Sequence, residues 1–377
     1  MTADDGRGLS HEGETTVRYE REISIAAVFT LALLALTGTA QAQSPPNPYR
    51  LVEGWAKLSG GRQIGAVGDV DIDPDGKHVW AILRCDAGAE KFNYECLDSN
   101  LDVVFEFDAD GNEVRHFGGG MFIWPHGLDV DRDGNVWVTD AASTERTDGP
   151  SGRGRGHQVV KFSPTGQVLL KLGTPGKAGN DDKHFNAPSD VVVAPNGEVF
   201  VADGHGDDTN NRVVKFSRDG KFIKAWGKTG YAPGEFRTLH SIAIDAQGRV
   251  FVADRSNNRI QIFDKDMKFV DEWRHFGRPS GLAILKDDTL IVADSESSQN
   301  IGGSPMAPEG GGSVMRNPGW QNGIRVGSAK DGSLKYFIPD TRPEGMAADE
   351  LGNIYGGWTG GCDKSPSGGC LQKWTRK

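Results

Sequence analysis

Three positions of one recurring sequence pattern carry side chains that bind metals or move protons. His126 stands in "IWPHGLDVDRDGNVWVTD", His240 in "TLHSIAIDAQGRVFVAD" and Glu344 in "RPEGMAADELGNIYGG", each directly ahead of an apolar alternating run. Two imidazoles and a carboxylate with a fourth position left open form a donor set suited to a catalytic zinc-type ion. Arg84 in "ILRC" and Arg255 in "ADRSNNR" lie in loops that follow such runs. A permanently charged, forked guanidinium there suits an anionic group on a substrate. His205 in "ADGHGDDTNNR" occupies a corresponding loop and reads as a general base, a further metal ligand or a loop histidine stacked on its neighbours.

The elements that must bring these residues together are legible from the repeat. Six segments share apolar alternation, a turn that usually contains glycine, and a second alternating run: "VGDVDIDPDGKHVWAIL", "GLDVDRDGNVWVTD", "DVVVAPNGEVFVAD", "SIAIDAQGRVFVAD", "GLAILKDDTLIVAD" and "GMAADELGNIYGG". Period-two apolarity around D-G, N-G or Q-G signals a β-hairpin, because glycine supplies the positive φ that tight turns need. A second hairpin follows each of the first five copies, so a unit supplies four antiparallel strands in roughly 40 to 65 residues, the signature of a propeller blade. The sixth unit ends on "LQKWTRK", its third strand, while "YRLVEGWAKLSG" (Tyr49 to Gly60) has the character of a closing strand. The fold class expected is therefore all-β, a six-bladed β-propeller closed by pairing the N-terminal strand with the last blade, which removes an exposed sheet edge. The leading positions of the innermost strands read Val67 to Val70, His126, Ser189, His240, Ser280 and Glu344 in blade order. Ligand-type residues fall in alternate blades, about 120° apart in a six-fold ring, and converge on its axis.

Composition narrows the function classes. A formal charge of −10 with no basic stripe argues against nucleic acid as a partner, since phosphate binding draws on clustered Lys and Arg. The apolar run Ile23 to Gln43 with Ala40-Gln41-Ala42 reads as a secretory signal cut after Ala42; the acidic residues that outnumber Arg7, Arg18 and Arg21 before it leave a start nearer Arg18 or an uncleaved anchor as alternatives. The expected organisation is an N-terminal extension and signal over residues 1–42 and one propeller over 43–377, secreted or periplasmic, monomeric and free of the membrane after cleavage. Four cysteines suit an oxidising compartment, and the short loops favour pairing Cys85 with Cys96 and Cys362 with Cys370. The "DADGN" and "DRDGN" runs lack the spaced Glu of a calcium loop and read as hairpin turns. The long segment from Ser295 to Asn322, with "EGGGS" inside it, has the length of a functional loop such as a lid over the channel mouth.

The blade pattern resembles the NHL-repeat class of propellers over nearly all of Tyr49 to Lys377. Between about Phe122 and Phe263, "WPHGLDVDRDGNVWVTD", "GHQVVKFSPTGQ", "HFNAPSDVVVAPNGEVFVADG", "GEFRTLHSIAI" and "VADRSNNRIQIF" resemble more narrowly the peptidyl-α-hydroxyglycine α-amidating lyase family and its bacterial relatives. That resemblance implies a six-bladed propeller with a catalytic zinc held by three histidines, two of which match His126 and His240. At the third, the family pattern Pro-His-Asp meets Pro343-Glu344-Gly345, so Glu344 is the expected third ligand. The family's Asp at Gly345 serves a structural calcium; here only the carbonyls of Leu128 and Val70 are left for one. Its two substrate arginines match Arg84 and Arg255. Its catalytic tyrosine falls on His205, in a loop three residues longer here, and a histidine base titrates far below a tyrosine. The activity implied is cleavage of a small-molecule or peptide carbinolamide bearing a carboxylate, to an amide and glyoxylate. Two other readings are a non-catalytic secreted NHL propeller binding a peptide or glycan, and a lactonase-like calcium propeller, whose sites combine Glu with Asn and Asp rather than two histidines.

Overall fold

Hairpin turns set the repeat. At "DRDGN", Gly134 takes φ 77°, and Asp131 Oδ1 accepts the N–H groups of Asp133 and Asn135 at 3.0 and 2.9 Å. The acid thus closes a turn, as the sequence implies, and reverses the chain into the next strand. The computed structural model describes residues 44–85, 94–142, 152, 154–298, 300–301, 314–360, 362 and 369–377. The expected signal segment and, within the "EGGGS" loop, residues 299 and 302–313 lie outside the described residues.

Six four-stranded antiparallel sheets follow one another along the chain. Blade 1 comprises Val67–Ile72, Val79–Leu83, Val104–Phe107 and Glu113–Phe117; blade 2, Pro125–Val130, Val136–Asp140, Gln158–Phe162 and Val168–Leu172. Blade 3 comprises Pro188–Val193, Val199–Asp203, Arg212–Phe216 and Phe222–Trp226; blade 4, Leu239–Ile244, Val250–Asp254, Arg259–Phe263 and Phe269–Trp273. Blade 5 is built from Gly281–Ile284, Thr289–Asp294, Gly323–Ser328 and Leu334–Pro339, with the two-residue strands Asn300–Ile301 and Val314–Met315 paired between its second and third strands. Blade 6 takes Met346–Ala348, Ile354–Gly357 and Leu371–Arg376 from the C-terminus and Tyr49–Val52 from the N-terminus, in register Tyr49 to Arg376 and Val52 to Lys373. The chain is thus an all-β six-bladed propeller with the expected closure.

Apolar side chains pack between blades. Trp80, Ile82, Val104, Leu128, Val136 and Phe162 form one such layer, and Trp137, Val159, Val191, Val199 and Val214 another. Each fully buried aliphatic or aromatic side chain contributes about 1.5–3 kcal/mol, so the inter-blade layers carry most of the stabilisation. Both expected disulfides are present, Cys85–Cys96 and Cys362–Cys370. Among the described residues, no helix is long and apolar enough to cross a membrane.

The innermost strand of each blade is a sheet edge, and its N–H groups need partners. Side chains of the preceding blade supply them. Asp69 and Asp71 accept from Leu128 N and Val130 N at 2.9 and 2.7 Å, Asp129 from Val193 N at 3.2 Å, Asp190 from Ile242 N at 2.9 Å, and Ser241 Oγ from Leu282 N at 3.1 Å. The stitching crowds four carboxylates around a cavity of about 260 Å³. Burial, opposed by those backbone N–H groups, raises Asp71 to about 6 and Asp190 to about 7; burial and neighbouring acids push Asp69 and Asp129 well up. A carboxyl whose folded pKa exceeds its unfolded value near 4 binds more protons in the folded state. Its stabilising contribution is therefore full at low pH and is lost as pH rises through about 6 to 7. Asp129→Asn keeps an acceptor for Val193 N and removes one charge. In chelator-containing buffer its melting temperature should exceed that of the wild type by several degrees at pH 8, with the gap closing toward pH 4. An equal gap at both pH values would count against repulsion as the cause.

Candidate metal centre

The inner strands of blades 1 to 4 begin with a register shift, between Val67 and Val70, Pro125 and Leu128, Pro188 and Asp190, and Leu239 and Ile242. Such bulges re-aim side chains, and here they fall on the leading positions of the repeat. One mouth of the channel is lined by Gly68, His126, His240, Ser280 and Glu344, with Asp69 and Asp190 beside them.

His126 Nδ1 lies 2.8 Å from Ser189 O, and His240 Nδ1 lies 2.8 Å from Ser280 O. The leading residues of blades 3 and 5 thus orient the histidines of blades 2 and 4 through their carbonyls. An Nδ1–H donated to a carbonyl leaves the lone pair on Nε2, the tautomer a metal ligand needs. The Nε2 atoms of both rings are buried and have no hydrogen-bond partner among the described residues. Buried polar atoms of this kind call for an explanation, and a cation held between them is one.

His205 completes the cluster from above. It follows Gly204, whose φ is 149° and where an added Cβ would strike the backbone N of Asn211. Asn211 Nδ2 donates to Gly206 O at 2.7 Å and folds the loop back over the axis. The His205 ring centre lies 4.6 Å from His126, 4.9 Å from His240 and 4.7 Å from Trp124. One nitrogen from each of His126, His205 and His240 falls within 4.8 Å of the others, the one group of three or more His, Cys, Asp or Glu among the described residues that could hold a metal ion in this way. All three rings are held well below the ordinary imidazole pKa, first by burial and then by neighbouring positive groups, Arg255 foremost for His205 and His240. They are neutral donors at pH 7, as metal ligation requires.

Glu344 stands beside this trio. Its Oε1 is 3.9 Å from His240 Nε2 and 3.5 Å from Arg255 Nη1, and its Oε2 is 3.7 Å from Arg84 Nη2. Arg84 is completely buried, donates from Nε to Pro125 O at 3.1 Å and lies over the Trp124 ring. Its neighbour Cys85 is tied to Cys96, with a Cα–Cα distance of 5.2 Å. Arg255 is pulled down to about 10 by burial, with Glu344 opposing. Arg84 Nη1 and Nη2 and Arg255 Nε and Nη1 make no hydrogen bond among the described residues, so both guanidiniums keep donors open. The six residues singled out in the sequence, Arg84, His126, His205, His240, Arg255 and Glu344, therefore gather at one mouth of the ring. The trio takes His205, and not Glu344, as its third member.

Three residues of the site were not anticipated. Glu296, 3.8 Å from Arg255 Nε, also binds Arg278 Nε at 2.8 Å and pairs with Arg316. Glu296 sits in the same second-to-third strand loop of its blade as Arg84, His205 and Arg255 do in theirs, a signal the repeat carried. At Gly345 a Cβ would collide with Asp69, so blade 1 fills the space where the calcium aspartate of the resembling pattern would stand.

A family model described as a 6-bladed beta-propeller, DUF5128, matches residues 179–297. Peptidyl-glycine alpha-amidating monooxygenase B of Xenopus laevis is 36% identical over 215 residues, 51% of this chain and 22% of that one. NHL repeat-containing protein 3 of Mus musculus is 38% identical over 212 residues, 55% of this chain and 54% of that one. Peptidyl-alpha-hydroxyglycine alpha-amidating lyase 2 of Drosophila melanogaster is 31% identical over 216 residues, 54% and 48% of the two chains. The matched region thus spans from about a fifth to about half the length of these relatives. Among solved structures, a streptogramin B lyase superposes with a TM-score of 0.51 at 15% identity, covering 87% of this chain and 98% of its own, a likeness of fold alone.

Proposed function

We propose that this chain is an exported, zinc-dependent lyase that cleaves the C–N bond of a peptidyl-α-hydroxyglycine-type carbinolamide, giving an amide and glyoxylate. The observation that carries this reading is the histidine trio, His126 and His240 buried with orphaned Nε2 atoms and His205 partly exposed, set beside guanidiniums with open donors. Relatives named as α-amidating lyases and monooxygenases support it. So does the donor chemistry: three neutral imidazoles with a fourth position free suit a catalytic zinc. His126, His205 and His240 would hold the ion; when bound it supplies a Lewis acid that acidifies a hydroxyl lying against it. The carbonyls of Ser189 and Ser280 keep two of the rings in the ligating orientation. Arg84 and Arg255 take the substrate carboxylate with their open N–H groups, fixing the carbinol carbon next to the trio. Trp124 packs against His126 and His205 and excludes water from that side. The carbinol O–H and the C–N bond break, the C=O of glyoxylate forms, and the proton ends on the amide nitrogen, so no water and no redox partner is consumed. Export is supported by the two disulfides and by the N-terminal apolar run.

A second reading, ligand binding without turnover, is favoured by Glu344 standing where the resemblance implies a histidine, and by the relative named only for its NHL repeats. The His126→Ala, His240→Ala double variant separates the two. The lyase reading expects metal and turnover to vanish together. A double variant that loses metal yet binds the wild type's peptide ligands with unchanged affinity would favour the binder.

A further inference from the structure

We infer that Glu344 is an internal competitor for the arginine pair, setting how tightly the site holds a carboxylate; the inference rests on the preceding reading that Arg84 and Arg255 receive the substrate carboxylate. Three observations carry it. The Glu344 carboxylate reaches both guanidiniums, at 3.5 and 3.7 Å, from a buried position. These are ion-pair distances without hydrogen bonds, and four N–H-bearing atoms of the two arginines stay open. Glu344 therefore neutralises charge while leaving the donors free, which a tightly hydrogen-bonded counter-ion would not do. Other carboxylates face the same arginines: Arg84 also faces Glu95 at 3.7 Å, and Arg255 and Arg278 share Glu296.

Around the mouth, the guanidiniums of Arg84, Arg255, Arg278 and Arg316 meet the carboxylates of Glu95, Glu296 and Glu344. The guanidinium donors left open on Arg84 and Arg255 suit a carboxylate. The incoming group lies close to Glu344, and like charges a few ångströms apart in a buried site repel strongly. The balance allows a carboxylate substrate to dock and a carboxylate product to leave. Glu344 thus sets specificity and release, separately from any role in holding the ion.

Isothermal titration of the zinc-loaded full chain with hippurate, and with neutral hippuramide as control, tests the inference. Glu344→Gln, which keeps the shape and removes the charge, should bind hippurate about tenfold tighter or more than the wild type does. Glu344→Asp, which keeps the charge, should stay within about threefold of the wild type, and hippuramide affinity should stay within about threefold in both variants. Zinc content should remain at the wild-type value in each. Hippurate binding to Glu344→Gln that is no tighter than wild type, with zinc retained, would overturn the inference. Loss of zinc from Glu344→Gln would overturn it as well, because Glu344 would then be a ligand. An Arg84→Ala arm keeps the two readings apart: unchanged hippurate affinity there would sink the arginine clamp itself.

Discussion

Replacing His205 by alanine is expected to abolish stoichiometric zinc binding, lowering affinity by at least about 10²-fold, since changes to outer-shell partners alone reach 10–100-fold. The expectation follows from the trio geometry, in which His205 supplies the third nitrogen within 4.8 Å. Glu344→Gln should leave zinc in place, its carboxylate lying at ion-pair distance from both arginines. The contrast between these variants, read by metal analysis after dialysis, assigns the third ligand. Zinc retained by His205→Ala and lost from Glu344→Gln would reverse the assignment. His205 was open to several roles in the sequence, and its place within reach of both His126 and His240 is what makes the ligand role the one to test. Gly204 adopts a φ available to glycine, and the loop it starts returns over the axis.

Arg255→Ala should have the second large effect. Truncating one partner of a buried charge cluster costs about 2–5 kcal/mol, and at 1.36 kcal/mol per decade that is a fall in kcat/KM of about 30-fold or more. Arg255 faces Glu344 at 3.5 Å and Glu296 at 3.8 Å, so the variant leaves two carboxylates at the mouth with less compensation and repels the substrate carboxylate. Arg255→Lys should recover only part of the loss, because an ammonium cannot reproduce the fork. The measurement is steady-state kinetics at low and high salt. A variant within about threefold of wild type in kcat/KM would remove Arg255 from substrate binding.

The fold was legible because its signals are local. Alternation around "DRDGN", "APNGE" and "DAQGR" dictates hairpins, and their repetition dictates a ring. Closure was legible from what blade 6 lacks, a fourth strand, which Tyr49–Val52 provides. The axial convergence of the candidate residues followed from their shared place in the repeat. What the sequence concealed depends on contacts between blades. Asp69, Asp71, Asp129 and Asp190 occupy polar positions of ordinary alternating strands, and nothing in one strand reveals that its carboxylate closes the open edge of the next. Ser189 and Ser280 looked unremarkable because their carbonyls, not their side chains, orient His126 and His240. Glu296 and Arg278 escaped notice because both reach Arg255 of the preceding blade, a contact that no single strand reveals.

The central claim is C–N bond cleavage at the histidine trio, and product analysis tests it most directly. Zinc-loaded wild-type protein incubated with α-hydroxyhippurate should release benzamide and glyoxylate in equal amounts, well above the spontaneous rate. The activity should disappear with chelation and return with zinc. Protein that binds one zinc per chain, takes up the compound and releases no glyoxylate above the uncatalysed background would contradict the account.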